Sequence, residues 1–461
     1  MSHYFGTDGF RGEVNRTLTS HHAYQIGRFL GWYYRSPHTG TETEHRPRVV
    51  IGKDTRLSGY MFEYSIAAGL TASGADAYLL HVTTTPSVSF VTRGEDFDCG
   101  IMISASHNPF TDNGIKLINR HGEKMDDATI DLVEAYLDGN YAALGMTGDL
   151  PLATGADPGR IVDFSAGRNR YMGYLISLAT HSFGGKRVGL DCANGSAWSI
   201  AKAVFDALGA KTYLINASPD GLNINENAGS THIEGLKRFV VENHLDVGFA
   251  YDGDADRCLA VDEHGNEVNG DHILYIFAAN AIKSGAFSGK VVATVMSNMG
   301  LFKALEELGI GYETTQVGDR YVYEAMMHGD HMIGGEQSGH IILRKYASTG
   351  DGILTSILLM EAMLEEKAPL SLLAAPMRMF PQVLVNLRVA DKEAIMRHPG
   401  VLDSVKRAEA FLHECGRVLL RKSGTEPVVR VMAEAENADA CQAAVEEICR
   451  VIRESGLCED G

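Results

Sequence analysis

Three aspartates at alternate positions, Asp252, Asp254 and Asp256, stand in Tyr251-Asp-Gly-Asp-Ala-Asp-Arg257, directly after the apolar run Val247–Ala250. In an extended chain, positions i, i+2 and i+4 share one face, so the carboxylates would crowd together and a cation would relieve them. Ligands that are all oxygen select a hard ion, magnesium or calcium. An EF-hand loop is one rival, because Asp252, Asp254, Asp256 and Glu263 fall at its positions 1, 3, 5 and 12. Arg257, however, takes the place where that loop needs glycine, and the flanks Val247–Ala250 and Cys258–Val261 read as strands, not helices. Calcium buffering is set aside; a solvated acidic turn stays open. Three carboxylates leave an octahedral ion with open positions, which a phosphate oxygen could complete.

A hydroxyl suited to such a site lies in Ser104-Ala-Ser-His-Asn-Pro109. The run Cys99–Ile103 predicts a buried strand that breaks into loop-forming residues, and α/β sheets place ligands at such strand ends. Ser106 is the candidate nucleophile, and Lys116, where the loop ends, is a cation for protons or phosphate oxygens. A turn whose Ser and Asn cap the next element would explain the same residues.

Three further stretches carry complementary chemistry. In Gly334-Gly-Glu-Gln-Ser-Gly-His340, Glu336 and Ser338 are two apart and suit sugar hydroxyls, and His340 titrates in the range useful for proton transfer. A glycine-rich turn without a ligand is the plain alternative. Arg421-Lys-Ser-Gly-Thr-Glu-Pro427, with Arg430 beyond it, offers guanidinium forks and hydroxyls as a phosphate cradle; a charged hairpin is its alternative. Phe5-Gly-Thr-Asp-Gly-Phe-Arg-Gly12 lets backbone N–H groups approach an anion, with Arg11 to join them. A flexible turn would look the same.

The elements that must position these loops alternate. Strands at Arg48–Gly52 and Ala77–Leu80 are interleaved with helices at Tyr24–Trp32 and Met61–Ala72, the pattern of a parallel α/β sheet. After a Gly-, Ala-, Pro- and Asp-rich linker at about 141–160, the rhythm repeats: strands at Arg187–Asp191, Lys211–Ile215 and Val247–Ala250 alternate with helices at Trp198–Leu208 and His232–Asn243. A third unit has strands at Val291–Val295, from Gly311 and from His331, and helices from Leu301 and from Arg320. Beyond about residue 373, Gln382–Val389 alternates apolar and polar like a one-sided antiparallel strand, followed by a strand at Pro427–Glu434 and a helix at Ala438–Ile452. The expected fold is α/β: three tandem mixed or parallel α/β domains (1–155, 156–262, 263–373), then a smaller α+β fourth domain (374–461), around a central cleft.

At 461 residues the chain exceeds one core. Its formal charge of -18 argues against general nucleic-acid or anionic-membrane binding. Seven cysteines without a C-x-x-C pair fit reduced thiols better than a disulfide framework or zinc site. No run approaches the ~20 apolar residues of a membrane span, and Met-Ser-His-Tyr-Phe-Gly lacks the regions of a signal peptide. The expectation is a cytoplasmic protein, monomer or homodimer, with a phosphosugar partner and neither nucleic acid nor membrane.

These stretches, in this order, resemble the α-D-phosphohexomutase superfamily. So do Asp191-Cys-Ala-Asn-Gly195, Pro219–Asn225, Gly229–His232, Val317–Val322 and Thr349–Gly352. The resemblance runs from Tyr4 to the last helix; one departure is Ala228, where a cysteine would be expected. It implies a phosphoserine isomerase. Ser106 would carry the phosphoryl group, and Asp252, Asp254 and Asp256 would hold one magnesium ion together with that phosphate. Arg257 would steady the phosphate, His107 would sit against it, and Lys116 and His340 would serve as general acid and base. Thr7 and Arg11 would bind substrate. Glu336 and Ser338 would grip the sugar, while Arg421, Ser423, Gly424, Thr425 and Arg430 would clamp the phosphate that is not reacting. The forms of the Glu336–His340 and Asp191–Gly195 stretches imply glucosamine as the sugar: its 6- and 1-phosphates would interconvert through a 1,6-bisphosphate, feeding UDP-N-acetylglucosamine and cell-wall precursors. The alternatives are mannose or glucose phosphates with the same chemistry, or a non-catalytic phosphosugar sensor.

Overall fold

A computed structural model describes residues 4–6, 8–35, 46–413, 416–422 and 427–458. The chain divides into two compact units: 1–296 with 310–375, and 297–309 with 376–461.

The first unit holds three sheets. The first has seven strands: β1 (Phe5–Gly6), β2 (Gly9–Glu13), β3 (Arg48–Lys53), β4 (Asp76–Val82), β5 (Cys99–Ile103), β6 (Asp112–Asn119) and β7 (Ile161–Asp163), in the order β1-β2-β6-β5-β3-β4-β7. β3, β4, β5 and β7 run parallel, whereas β2 and β6 join antiparallel. β5 is buried along its whole length, as its unbroken apolar run requires of a strand covered on both faces. Val49 and Ile51 face a core with helices α1 (Ser20–Arg35) and α2 (Gly59–Ala72), while Val50 and Met102 face a second core on the other side. The sheet extends beyond residue 155, since β7 pairs with β4, and the stretch expected to be a plain linker contains a 3-10 turn at Tyr141–Leu144. Lys116 is not on a loop: it lies within β6, opposite Met102.

The second sheet comprises β8 (Arg187–Asp191), β9 (Lys211–Ile215), β10 (Val247–Tyr251), β11 (Cys258–Asp262) and β12 (Glu267–Val268), in the order β12-β11-β10-β8-β9. β10 runs parallel to β8 and forms an antiparallel hairpin with β11, Tyr251 facing Cys258. The Asp252–Arg257 stretch closes that hairpin. The third sheet comprises β13 (Val291–Thr294), β14 (Tyr312–Thr315), β15 (Ile333–Gly335) and β16 (Ile341–Leu343), in the order β14-β13-β15-β16. Its β15–β16 hairpin carries Glu336–His340.

The second unit is built on the antiparallel sheet β17 (Gln382–Arg388), β18 (Gly416–Lys422) and β19 (Val428–Ala435), ordered β17-β19-β18. The amphipathic helix Ala438–Glu454 buries Cys441, Ala444, Val445, Ile448 and Ile452 against it. The segment 297–309, which includes the helix Met299–Glu307, belongs to this unit.

The crossing of α1 and α2 is set by glycines. A Cβ on Gly69 would collide with the Tyr24 carbonyl oxygen, and one on Gly27 with that of Ile66. Glycine to alanine inside a helix ordinarily stabilises by up to about 1 kcal/mol. Here the sign reverses: Gly69→Ala is expected to destabilise by about 1–3 kcal/mol through overpacking, read as a lower melting temperature.

Candidate active site

The turn after β5 presents Ser106 in the left-handed region, with φ +51°. Its N–H donates to Ser104 Oγ at 2.9 Å. Its side chain is buried, and Oγ donates to Asp252 Oδ2 at 2.6 Å, with His107 Nδ1 at 3.4 Å. Serine and aspartate come from different sheets, 146 residues apart. The close approach requires Gly253, where a Cβ would stand 2.6 Å from the Ser106 carbonyl oxygen.

The three aspartates are not extended. Ala255 has φ +57°, and the segment curls so that one carboxylate oxygen from each of Asp252, Asp254 and Asp256 lies within 4.8 Å of the others, all buried. Lys116 Nζ reaches into this group, 2.7 Å from Asp254 Oδ2, 3.3 Å from Asp256 Oδ2 and 3.2 Å from Asp8 Oδ2. Thr85 Oγ1 also donates to Asp254. Burial first, then Asp256 and Asp254, push the Asp252 carboxyl well above its ordinary range. Burial acts the same way on Asp256, but Lys116, His340 and Arg257 overcome it and hold that carboxyl well below. Burial would likewise lower the Lys116 ammonium; Asp254, Asp8 and Asp256 outweigh it and raise it well above its usual value. Asp254 Oδ1 has no hydrogen-bond partner among the described residues. Three converging carboxylates with a buried oxygen left over suit a hard divalent cation, so the residues present fit a metal.

His340 stands on the far side of the group, Nδ1 3.7 Å from Asp256 Oδ1 and Nε2 3.5 Å from Asp319 Oδ2. Burial works to lower its pKa, but the hydrogen bond and charge of Asp256, then Asp319, raise it to about 9. The Gly350 amide nitrogen lies 3.1 Å from Nε2. His107 shifts the other way: burial, then the positive charges of Arg257 and Arg11, lower it to about 4. Those two guanidinium groups therefore bear on the Ser106 turn. Arg257 Nε is buried without a hydrogen-bond partner among the described residues, 4.0 Å from Asp256, while Arg11 pairs with Asp8.

Glu336 accepts the Gly318 N–H at 3.0 Å, and its charge acts on Arg257 and His340. Ser338 is exposed at the tip of the β15–β16 hairpin, so the two do not share one buried setting. In the second unit, Arg421 and Arg430 are direct cross-strand partners. Burial and the facing Arg430 both lower the Arg421 guanidinium. Thr7, Ser423, Gly424 and Thr425 lie outside the described residues.

Several groups at the site were not anticipated. Asp8 and Asp319 lie inside stretches singled out above, and both bind Lys124, at 3.2 and 2.7 Å. Asn225 ends one such stretch, while Arg56, Thr85 and Lys124 carry no local signal. Cavities of about 290 and 600 Å³ open beside Asp8, Lys116 and Lys124. No helix among the described residues is long and apolar enough to cross a membrane.

Family models for the phosphoglucomutase/phosphomannomutase α/β/α domains I, II and III match residues 2–143, 169–265 and 269–380, and the model for the C-terminal domain matches 384–451. The chain belongs to the phosphoglucomutase/phosphomannomutase family. Curated relatives narrow the likeness: it is 61% identical over 457 residues to the phosphoglucosamine mutase of Lachnospira eligens, covering 99% of each chain. It is 45% identical over 459 residues to that of Bacillus subtilis, covering 99% of this chain and all of the relative. Among solved structures, a phosphoglucomutase/phosphomannomutase family protein from Burkholderia thailandensis shares the fold with a TM-score of 0.80 at 21% identity, over 99% and 98% of the two chains. Aspergillus fumigatus N-acetylphosphoglucosamine mutase, in complex with GlcNAc-6P and magnesium, follows at 0.67 and 16%, over 99% and 96%.

If the aspartate group holds a divalent cation, magnesium added to metal-free protein raises its melting temperature by mass action, and Asp254→Asn removes most of that rise. A wild-type melting temperature indifferent to magnesium would contradict a metal site here.

Proposed function

We propose that this chain is a phosphoglucosamine mutase, interconverting glucosamine 6-phosphate and glucosamine 1-phosphate with Ser106 as the phosphoryl carrier. The observation that carries this reading is the 2.6 Å approach of Ser106 Oγ to Asp252 inside a buried three-carboxylate group. A serine that served only to cap a turn would have no need of a carboxylate cluster brought to it from another domain.

The reaction runs in two transfers. Phosphorylated Ser106 gives its phosphoryl group to O1 of glucosamine 6-phosphate: the P–Oγ bond breaks, the P–O1 bond forms, and the O1 proton passes to a base. The resulting 1,6-bisphosphate turns around, and Ser106 Oγ takes the phosphoryl group from O6, which regains a proton as glucosamine 1-phosphate leaves. Phosphoryl transfer depends on alignment and charge neutralisation more than on covalent chemistry. Bound by Asp252, Asp254, Asp256 and the Ser106 phosphate, one Mg²⁺ ion would supply Lewis-acid neutralisation of phosphoryl charge.

The remaining groups fall into roles around that centre. Arg257 and Arg11, whose charges already bear on the neighbouring imidazole, neutralise phosphoryl oxygens. His107 sits against the phosphoserine. Lys116 and His340, each against Asp256, exchange protons with the sugar oxygens. Glu336 and Ser338 hold sugar hydroxyls, and Thr7 adds to the substrate contacts. In the second unit, Arg421 and Arg430 face each other on neighbouring strands; with Ser423, Gly424 and Thr425 they grip the unreacting phosphate. The product would feed UDP-N-acetylglucosamine and cell-wall precursor synthesis in the cytoplasm.

A coupled assay on phosphorylated protein with magnesium is expected to show turnover of glucosamine 6-phosphate well above that of mannose 6-phosphate or glucose 6-phosphate. Ser106→Ala is expected to abolish it. Near-normal activity in Ser106→Ala removes the nucleophile assignment, and a preference for mannose or glucose phosphates removes the sugar assignment.

A further inference from the structure

The Ser106 turn is gripped from two sides by side chains that touch no reacting atom. Arg56, 1% exposed, donates through Nη2 to the carbonyl oxygens of Ser106, at 3.2 Å, and Asn108, at 2.6 Å. Asn225 donates through Nδ2 to the same two oxygens, at 2.8 and 3.0 Å. A carbonyl oxygen has two lone pairs, and both pairs on both oxygens are taken. Arg56 follows β3 and is itself fixed by Asp54, which pairs with the guanidinium and accepts the Arg56 N–H at 2.9 Å. Asn225 belongs to the stretch after β9, and its own N–H donates to the Ala193 carbonyl. One donor thus comes from the part of the chain that bears the serine, the other from the part that bears the aspartates.

We propose that Arg56 and Asn225 are positioning residues, a clamp on the Ser106 and Asn108 carbonyls that holds Ser106 in its left-handed conformation with Oγ aimed at Asp252. The proposal rests on the reading of Ser106 as phosphoryl carrier. Two points favour a positioning role over simple packing. Ser106 keeps φ +51°, a conformation that a non-glycine residue holds only when its surroundings enforce it. The clamp also bridges the two loops whose separation sets the distance from Oγ to the carboxylates.

Asn225 has φ +60°, so Asn225→Gly deletes the donor while tolerating the backbone. Asn225→Asp keeps the shape but offers an acceptor where a donor is needed. Arg56→Lys keeps the charge beside Asp54 and loses the fork. Turnover is measured per phosphorylated enzyme, with Ser106 occupancy counted by intact mass, and hydrogen exchange is followed at the amides of residues 105–108. The expected result for the Asn225 variants is a kcat lower by about 100-fold with KM changed by less than about threefold, the signature of lost alignment rather than lost binding. Arg56→Lys is expected to fall by about tenfold on the same ground. Exchange at the turn should quicken in all three.

Unchanged exchange overturns the clamp, as does a raised KM with kcat retained. If one variant fails to fold, the others decide. A wild-type protein without mutase turnover refutes the functional reading, and the clamp then stands or falls on exchange alone.

Discussion

Three carboxylates and a serine hydroxyl share one buried volume, and the charges around them answer that constraint. Carboxylate oxygens within 4.8 Å of each other repel by at least about 3.5 kcal/mol per ionised pair at an effective dielectric of roughly 20. The fold offsets this with Lys116, held against two of the three, and with Arg257 and His340 at the edge of Asp256. These cations come from a strand of the first sheet, the hairpin loop itself and a hairpin of the third sheet. The cluster is therefore tolerable only when all three sheets are in place, and the same convergence brings Ser106 to Asp252.

Close backbone approaches make that convergence possible. Gly253 lies so near the Ser106 carbonyl that no side chain fits. Thr85 binds Asp254 twice, through its hydroxyl and through its N–H to the backbone carbonyl. The Lys116–Asp8–Lys124–Asp319 series then ties the N-terminal stretch to the third sheet, ending 3.5 Å from His340. On the proposed reading, a substrate would meet charges already placed, so little reorganisation would be needed as phosphoryl charge develops.

Much of this was legible in the sequence, and the failures share a cause. The unbroken apolar run Cys99–Ile103 announced a strand buried on both faces, and the flanks of the aspartate stretch announced strands that ruled out an EF-hand. The candidate residues Ser106, Lys116, Asp252–Arg257 and His340 lie together in the fold. What misled was burial of polar groups. The stretch ending at Lys116 reads as a loop, yet Asn113 and Lys116 are buried in β6, where Asn113 Nδ2 donates to Ser58 and Lys116 pairs with Asp254, both far away in sequence. The aspartates converge by curling at Ala255, not by strand alternation, because a hairpin connection cannot stay extended. Arg56 carries no local signal, and Asn225 stands out only as the end of Pro219–Asn225; the role of each lies in a carbonyl that folding brings to it.

The most direct test follows the phosphoryl group itself. Phosphorylated protein with magnesium is incubated with glucosamine 6-phosphate isotopically labelled in its phosphate, then digested and mapped. Label on the peptide containing Ser106, and on no other, is the predicted result. Label that stays on the sugar during turnover, or that settles on another residue, would contradict a serine held against the aspartates as the carrier.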